Sequence, residues 1–119
     1  MRVGIETKRF DKADEGRAFL KGRFDIAKLR GISIGRAAYE PGWKWSEHVG
    51  RDLGKRYCEV EHVGLVLAGR AAVQMKDGGE TRVLEPGDLF WVPPGHDSWV
   101  VGHEPYVSIH FLGAEDYAK

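Results

Sequence analysis

Cys58 and His62 stand four residues apart, and His96 directly follows Pro93-Pro94-Gly95. A thiol and two imidazoles are ligands that borderline-soft transition metals accept, and imidazole also moves protons near neutral pH. Positions 56, 58 and 62 have the same parity, so on a regular strand Arg56, Cys58 and His62 face one side. Glu59 and Glu61 have the opposite parity and are expected to point away, neither ligands nor general bases. Cys58 is the single cysteine, which excludes an internal disulfide.

Such groups work only if the chain carries them to one place. Pro86-Gly87 and Pro94-Gly95 are turn signals on either side of the apolar run 89–92, too short for a helix and long enough for a strand. Residues 57–68 form a second strand ending at Gly69, so two strand-turn units would carry the soft ligands. Further strands are expected at 3–10 (an edge), 24–27, 29–39, 71–75, 81–84, 99–101 and 106–112, with Ile32, Ile34 and Ala38 sharing a face. Lys76-Asp77-Gly78-Gly79 marks a hairpin turn. Residues 11–20 suit one short helical turn, 43–48 an extended piece, 50–55 a polar loop and 114–119 a frayed tail. Short strands with 16 glycines between and within them argue for an all-β sandwich or barrel.

A chain of 119 residues fits one domain. Eighteen basic and 18 acidic side chains cancel, which leaves no global field for nucleic acid or an anionic membrane. Neither partner is expected, and the absence of a membrane-length apolar run or a signal-type start at Met1-Arg2-Val3 leads to the expectation of a cytoplasmic protein.

Gly87, five residues, Pro93-Pro94-Gly95, and the segment Val66-Leu67-Ala68-Gly69-Arg70 resemble the two Gly-anchored motifs of the cupin superfamily. The resemblance runs from Pro41 to Phe111 and implies a jelly-roll barrel: one domain over 1–119, with strands and loop in 1–40 and the conserved core in 41–112. Counted from Gly69, the family's Glu position holds His62, its second His position Cys58 and its first Arg56. The motif-two His position holds Ser98, while His96 lies two residues earlier, and His48 stands where it could replace the ligand lost at Arg56. The resemblance thus implies a metal set of His48, Cys58, His62 and His96, suited to zinc, with iron, nickel or cobalt as alternatives. Four ligands would make a closed, structural site; three would leave a position open for water or substrate.

Around that set, Trp43 and Trp45 are placed at a pocket mouth, Trp91 and Trp99 beside His96, Arg56 as a carboxylate fork, and Ser98 and His110 as interior contacts. The same aromatics equally suit a plain core. Asp97 either orients His96 or, as favoured here, caps the turn; His103 is read as a solvated turn residue. The expected functions are a metal-dependent enzyme on a small molecule, a non-catalytic ligand-binding module, or a barrel with a structural metal. The resemblance also implies a homodimer, paired through residues 3–10.

Overall fold

The computed structural model describes residues 4–119. Among the described residues, nine antiparallel strands form two sheets: β1 (Glu15–Phe19), β2 (Gly22–Leu29), β3 (Ile32–Tyr39), β4 (His62–Ala68), β5 (Arg70–Met75), β6 (Thr81–Leu84), β7 (Leu89–Val92), β8 (His96–Val101) and β9 (Tyr106–Leu112). The larger sheet has the order β1-β2-β3-β9-β4-β7 and the smaller β6-β5-β8. Their facing sides enclose the core, and the protein is an all-β jelly-roll barrel as expected.

The ladders explain the strand ends. Gly69 lies at φ 70°, and a Cβ there would stand 2.2 Å from the Pro105 carbonyl oxygen, so glycine alone allows β4 to turn into β5 against the start of β9. The β5–β6 hairpin turns at Asp77 and Gly78, both at positive φ, as the Asp-Gly signal requires.

Several expectations are corrected. Residue 3 lies outside the described residues; residues 4–9 join no ladder, and Phe10–Lys12 forms a 3-10 turn instead of ending an edge strand. Of the stretch 11–20 expected to hold a helical turn, only the start does, in the 3-10 turn Phe10–Lys12; Glu15–Phe19 is β1, because β2 offers it a full antiparallel partner from Glu15↔Ile26 to Phe19↔Gly22. Leu29 ends β2, and Arg30-Gly31 at positive φ turn the chain into β3. On β3, Ile32, Ile34 and Ala38 do share a face, but the buried face is the other one, that of Gly35, Ala37 and Tyr39. The Phe24 ring occupies the space above Gly35, where a Cβ would lie 2.3 Å from it, so the smallest residue must face inward there. The tail is not frayed: Ala114 and Tyr117 are buried in the core.

Residues from Ser46 onward are helical, Ser46–Gly50 followed by Arg51–Leu53, rather than extended. Asp97, on β8, accepts the Ser46 backbone N–H at 3.0 Å and the Ser46 hydroxyl at 2.8 Å. It thereby satisfies an amide at the opening turn, a capping role supplied from 51 positions away. No helix among the described residues is long and apolar enough to cross a membrane.

Candidate metal centre

The site is built where the two sheets meet. β7 pairs with β4 through His62↔Val92, and Pro93-Pro94-Gly95 then carries the chain across to β8, which begins at His96. Cys58 lies before β4 and docks on this crossing. Its N–H donates to the His96 carbonyl at 2.7 Å, and its own carbonyl accepts the N–H of Gly95 at 2.8 Å. Cys58 and the Gly95-His96 turn, from two separate stretches, are thus locked together by backbone bonds, independently of any ligand.

The side chains of Cys58, His62 and His96 offer ligand atoms that all lie within 4.8 Å of one another, and all three residues are buried. Cys58 Sγ is 3.5 Å from His62 Nε2. Two corners of a zinc tetrahedron with Zn–S of about 2.3 Å and Zn–N of about 2.0 Å stand roughly 3.6 Å apart. The Cys58–His62 pair already has that spacing. His96 Nδ1 lies 2.8 Å from the Pro93 carbonyl oxygen, so Nδ1 carries the proton and donates it, which leaves Nε2 with its lone pair. This is the carbonyl partner that metal-bound imidazoles use to fix tautomer and orientation.

Burial tunes the set. Desolvation and the neighbouring His110 and His96 hold the His62 pKa well below its ordinary value, and desolvation also lowers His96. Both imidazoles are therefore neutral at pH 7 with no proton to displace. Desolvation pushes the Cys58 thiol up to about 11, so without a cation it stays protonated. A metal that captured it would release that proton.

His110 joins from β9. Its ring centroid is 5.2 Å from that of His62, its Nε2 is 2.9 Å from Ser108 Oγ, and desolvation lowers its pKa to about 4. The Nδ1 atoms of His62 and His110 are buried without a hydrogen-bond partner among the described residues. Beside these rings lies a cavity of about 40 Å³, lined also by Trp43, Ser98, Tyr39, Tyr106 and Tyr117. Unpartnered buried nitrogens next to a small void are what a site for an ion or an ordered water presents. The donor set fits a transition metal: one sulfur and two nitrogens, neutral imidazoles and a desolvated pocket.

The other sequence-derived positions fall as follows. His48 stays apart from the cluster of Cys58, His62 and His96: its Nδ1 is held inside its own turn, 2.9 Å from the Lys44 backbone nitrogen and 3.1 Å from the Lys44 carbonyl oxygen. Trp43, Ser98 and His110 line the interior cavity. Trp45 is buried and walls a separate surface cleft of about 550 Å³ that reaches Cys58. Arg56 is exposed and lies over the Tyr57 ring, because the chain at 56–61 is not the regular strand the parity argument assumed. Trp91 is 62% exposed and donates from Nε1 to Glu61 at 2.7 Å on the outer surface. Trp99, out of phase with His96 and Ser98 on β8, turns from the cavity and carries the Lys44 ammonium over its ring. Glu59 and Glu61 are exposed as expected, and so is His103. Sequence reasoning missed Tyr117, which packs against Phe24 and His62; its only local signal is one aromatic in a polar tail.

Comparison with known proteins bears on the fold. No family model matches the chain, and no curated protein does. Among solved structures, a protein of unknown function from Rhizobium leguminosarum is similar over 91% of this chain and 95% of its own, with 21% identity and a TM-score of 0.63. Oxalate decarboxylase from Lactobacillus farciminis, solved with formate, is similar over 83% of this chain and 30% of its own, with 18% identity and a TM-score of 0.58. The 11S allergen of Cocos nucifera matches over 88% of this chain and 33% of its own, with 16% identity and a TM-score of 0.59. These likenesses support a cupin-like fold.

Proposed function

We propose that this cupin-like barrel binds one divalent transition metal, zinc by donor chemistry, through Cys58, His62 and His96, and uses it on a small molecule. The observation that carries the reading is the convergence of these three side chains within 4.8 Å in a buried interior. A metal held by three protein ligands supplies a Lewis acid and a water of lowered pKa. The chain's own contribution is to hold His96 by the Pro93 carbonyl, keep His62 and His96 neutral, and exclude bulk water. His110 is the remaining interior group able to accept or pass a proton.

The test is metal content by elemental mass spectrometry, with Cys58→Ser and His62→Ala beside the unaltered protein. About one metal per chain, lost in both variants, is the expected result under a three-ligand site. No metal after reconstitution with Zn²⁺, Fe²⁺ or Ni²⁺ overturns the reading.

One observation favours a purely structural metal: a cavity of about 40 Å³ admits a water but no organic substrate. Cobalt substitution separates the two. Azide or imidazole that shifts the visible bands of the cobalt form has an open coordination position, whereas unchanged bands mean a closed one. The proposal also includes a homodimer. β7 is a sheet edge whose Leu89 and Trp91 are 76% and 62% exposed, apolar area that a second copy would cover. Sedimentation as a monomer at every accessible concentration would overturn that part.

A further inference from the structure

The larger sheet is as apolar on its outer side as on its inner one. On β4, His62, Gly64 and Val66 are buried inside the barrel, so Val63, Leu65 and Leu67 face out. On β9 the buried residues are Tyr106, Ser108 and His110, and those facing out are Val107, Ile109 and Phe111. β7 adds Leu89 and Trp91, and β3 adds Ile34, Arg36 and Ala38. The ladders set these side chains next to one another. Arg36 stands opposite Ile109, Ile109 opposite Leu65 and Leu65 opposite Leu89, with Val63 opposite Trp91 in the neighbouring row.

An antiparallel sheet with one face in water alternates apolar and polar residues. These four strands do not, and Arg36 is the one charged side chain among the outward positions just named. The smaller sheet behaves as a wetted face should: Arg70, Gln74, Thr81 and Asp97 interrupt its outer side. The chain does not cover the larger face either, since Leu67, Leu89, Trp91 and Phe111 are 50%, 76%, 62% and 48% exposed.

The size and charge of the face indicate its occupant. With about 150–250 Å² for a large side chain, it leaves roughly 700 Å² open. That exceeds the roughly 300–600 Å² of the largest patch on a typical monomer and approaches the 800 Å² or so per partner of a standard interface. Its margins balance: Asp25, opposite Arg36 in the β2–β3 ladder, and Glu61, which accepts from Trp91, offset Arg36 and Arg23. A neutral apolar face meets its own copy without like-charge repulsion, whereas an anionic membrane attracts a basic surplus.

We infer that the outer face of β3-β9-β4-β7 is where a second copy of this chain docks, the two sheets packing face to face about a two-fold axis near the β9–β4 pair. The inference rests on the homodimer proposed above and names its surface, the sheet face rather than the β7 edge. Sheets pack in this way with their strands within about 30° of each other, and a two-fold contact uses one self-complementary patch twice. β4 then lies between the two sites of interest, with His62 directed into the barrel and Val63 and Leu65 directed at the second copy.

The test is sedimentation over a concentration series, with near-UV circular dichroism as the check of folding. Leu65→Glu is expected to raise the dimer dissociation constant about a hundredfold or more, because the two-fold axis buries an unpaired charge from each chain. Leu89→Ser combined with Trp91→Ser, at positions too exposed to decide folding, should raise it about tenfold or more. Val83→Glu, on the outer side of the smaller sheet, should leave it unchanged. A short bis-maleimide should join two chains of Ile109→Cys and not two of Val83→Cys. A dimer that survives both changes on the larger face overturns this inference and leaves the homodimer standing, joined elsewhere. A dimer lost equally in Val83→Glu also overturns it. A monomer at every concentration overturns the homodimer as well and leaves the face to a different occupant.

Discussion

His62 and His48 are the same residue in two regions, and they differ in what already surrounds them. His62 opens β4 inside the barrel, with Cys58 Sγ at 3.5 Å and an Nδ1 that has no partner among the described residues. His48 sits on the helical turn outside the cavity, half-buried, with its Nδ1 2.9 Å from the Lys44 backbone nitrogen. Residue type offers both as ligands; among the described residues only the first has other ligand side chains beside it. The barrel interior orphans its polar groups, whereas the turn satisfies them locally, and an orphaned buried donor set is the one with free energy to gain from an ion.

The largest expected effect breaks this contrast at its inner side. Structural zinc sites bind with about 10–16 kcal/mol, so losing one of a few ligands should cost several kcal/mol, roughly a hundredfold or more in affinity. Cys58→Ser, His62→Ala and His96→Ala are each expected to show it by competition with a chelating dye, and a retained affinity would mean the metal sits elsewhere.

Next comes acid. His110 has a pKa of about 4 when folded, against 6.5 for an ordinary imidazole. The folded state therefore binds fewer protons than the unfolded chain between those values. The stability tied to its neutrality is present above pH 6.5 and is lost as pH falls towards 4. His62 and His96 act in the same direction. The loss from His110 alone is about 3 kcal/mol. Urea unfolding of metal-free protein across this range should show the decline, and His110→Gln should flatten it.

Asp97→Ala tests how the outer region is held. It removes both bonds to Ser46 and should cost about 1–2 kcal/mol, the worth of a helix cap, while leaving metal content at the level of the unaltered protein. Loss of metal in this variant would show that Asp97 positions His96 after all. The smallest effect is expected for His48→Ala: metal content unchanged and stability lowered by no more than about 1 kcal/mol, the worth of one exposed-turn hydrogen bond. A large drop in metal would erase the contrast from which the comparison starts.

Much of this was legible in the chain. Pro-Gly punctuation and short apolar runs determined the number and spacing of the middle strands, because turn chemistry is local. The shared inward side of Cys58 and His62 was also legible, although the chain between them is irregular; Cys58 is instead fixed by its bonds to Gly95 and His96. The Pro93-Pro94-Gly95-His96 turn sets the His96 tautomer within four residues, again a local matter. Tertiary structure alone decided the rest. β1 forms from a polar, Gly-containing stretch because β2 offers it a ladder, and the turn at Ser46 is capped by a carboxylate 51 positions away. Arg56, Trp91 and Trp99 point outward because irregular chain and register, not composition, set which side a residue faces. Tyr117 enters the core because Arg17 and Phe24, neighbours across a distant ladder, provide a clamp and a stacking face for it. Local spacing determines where a chain can turn; which lone pairs and cavities remain free is settled only when segments far apart in sequence compete for the same partners.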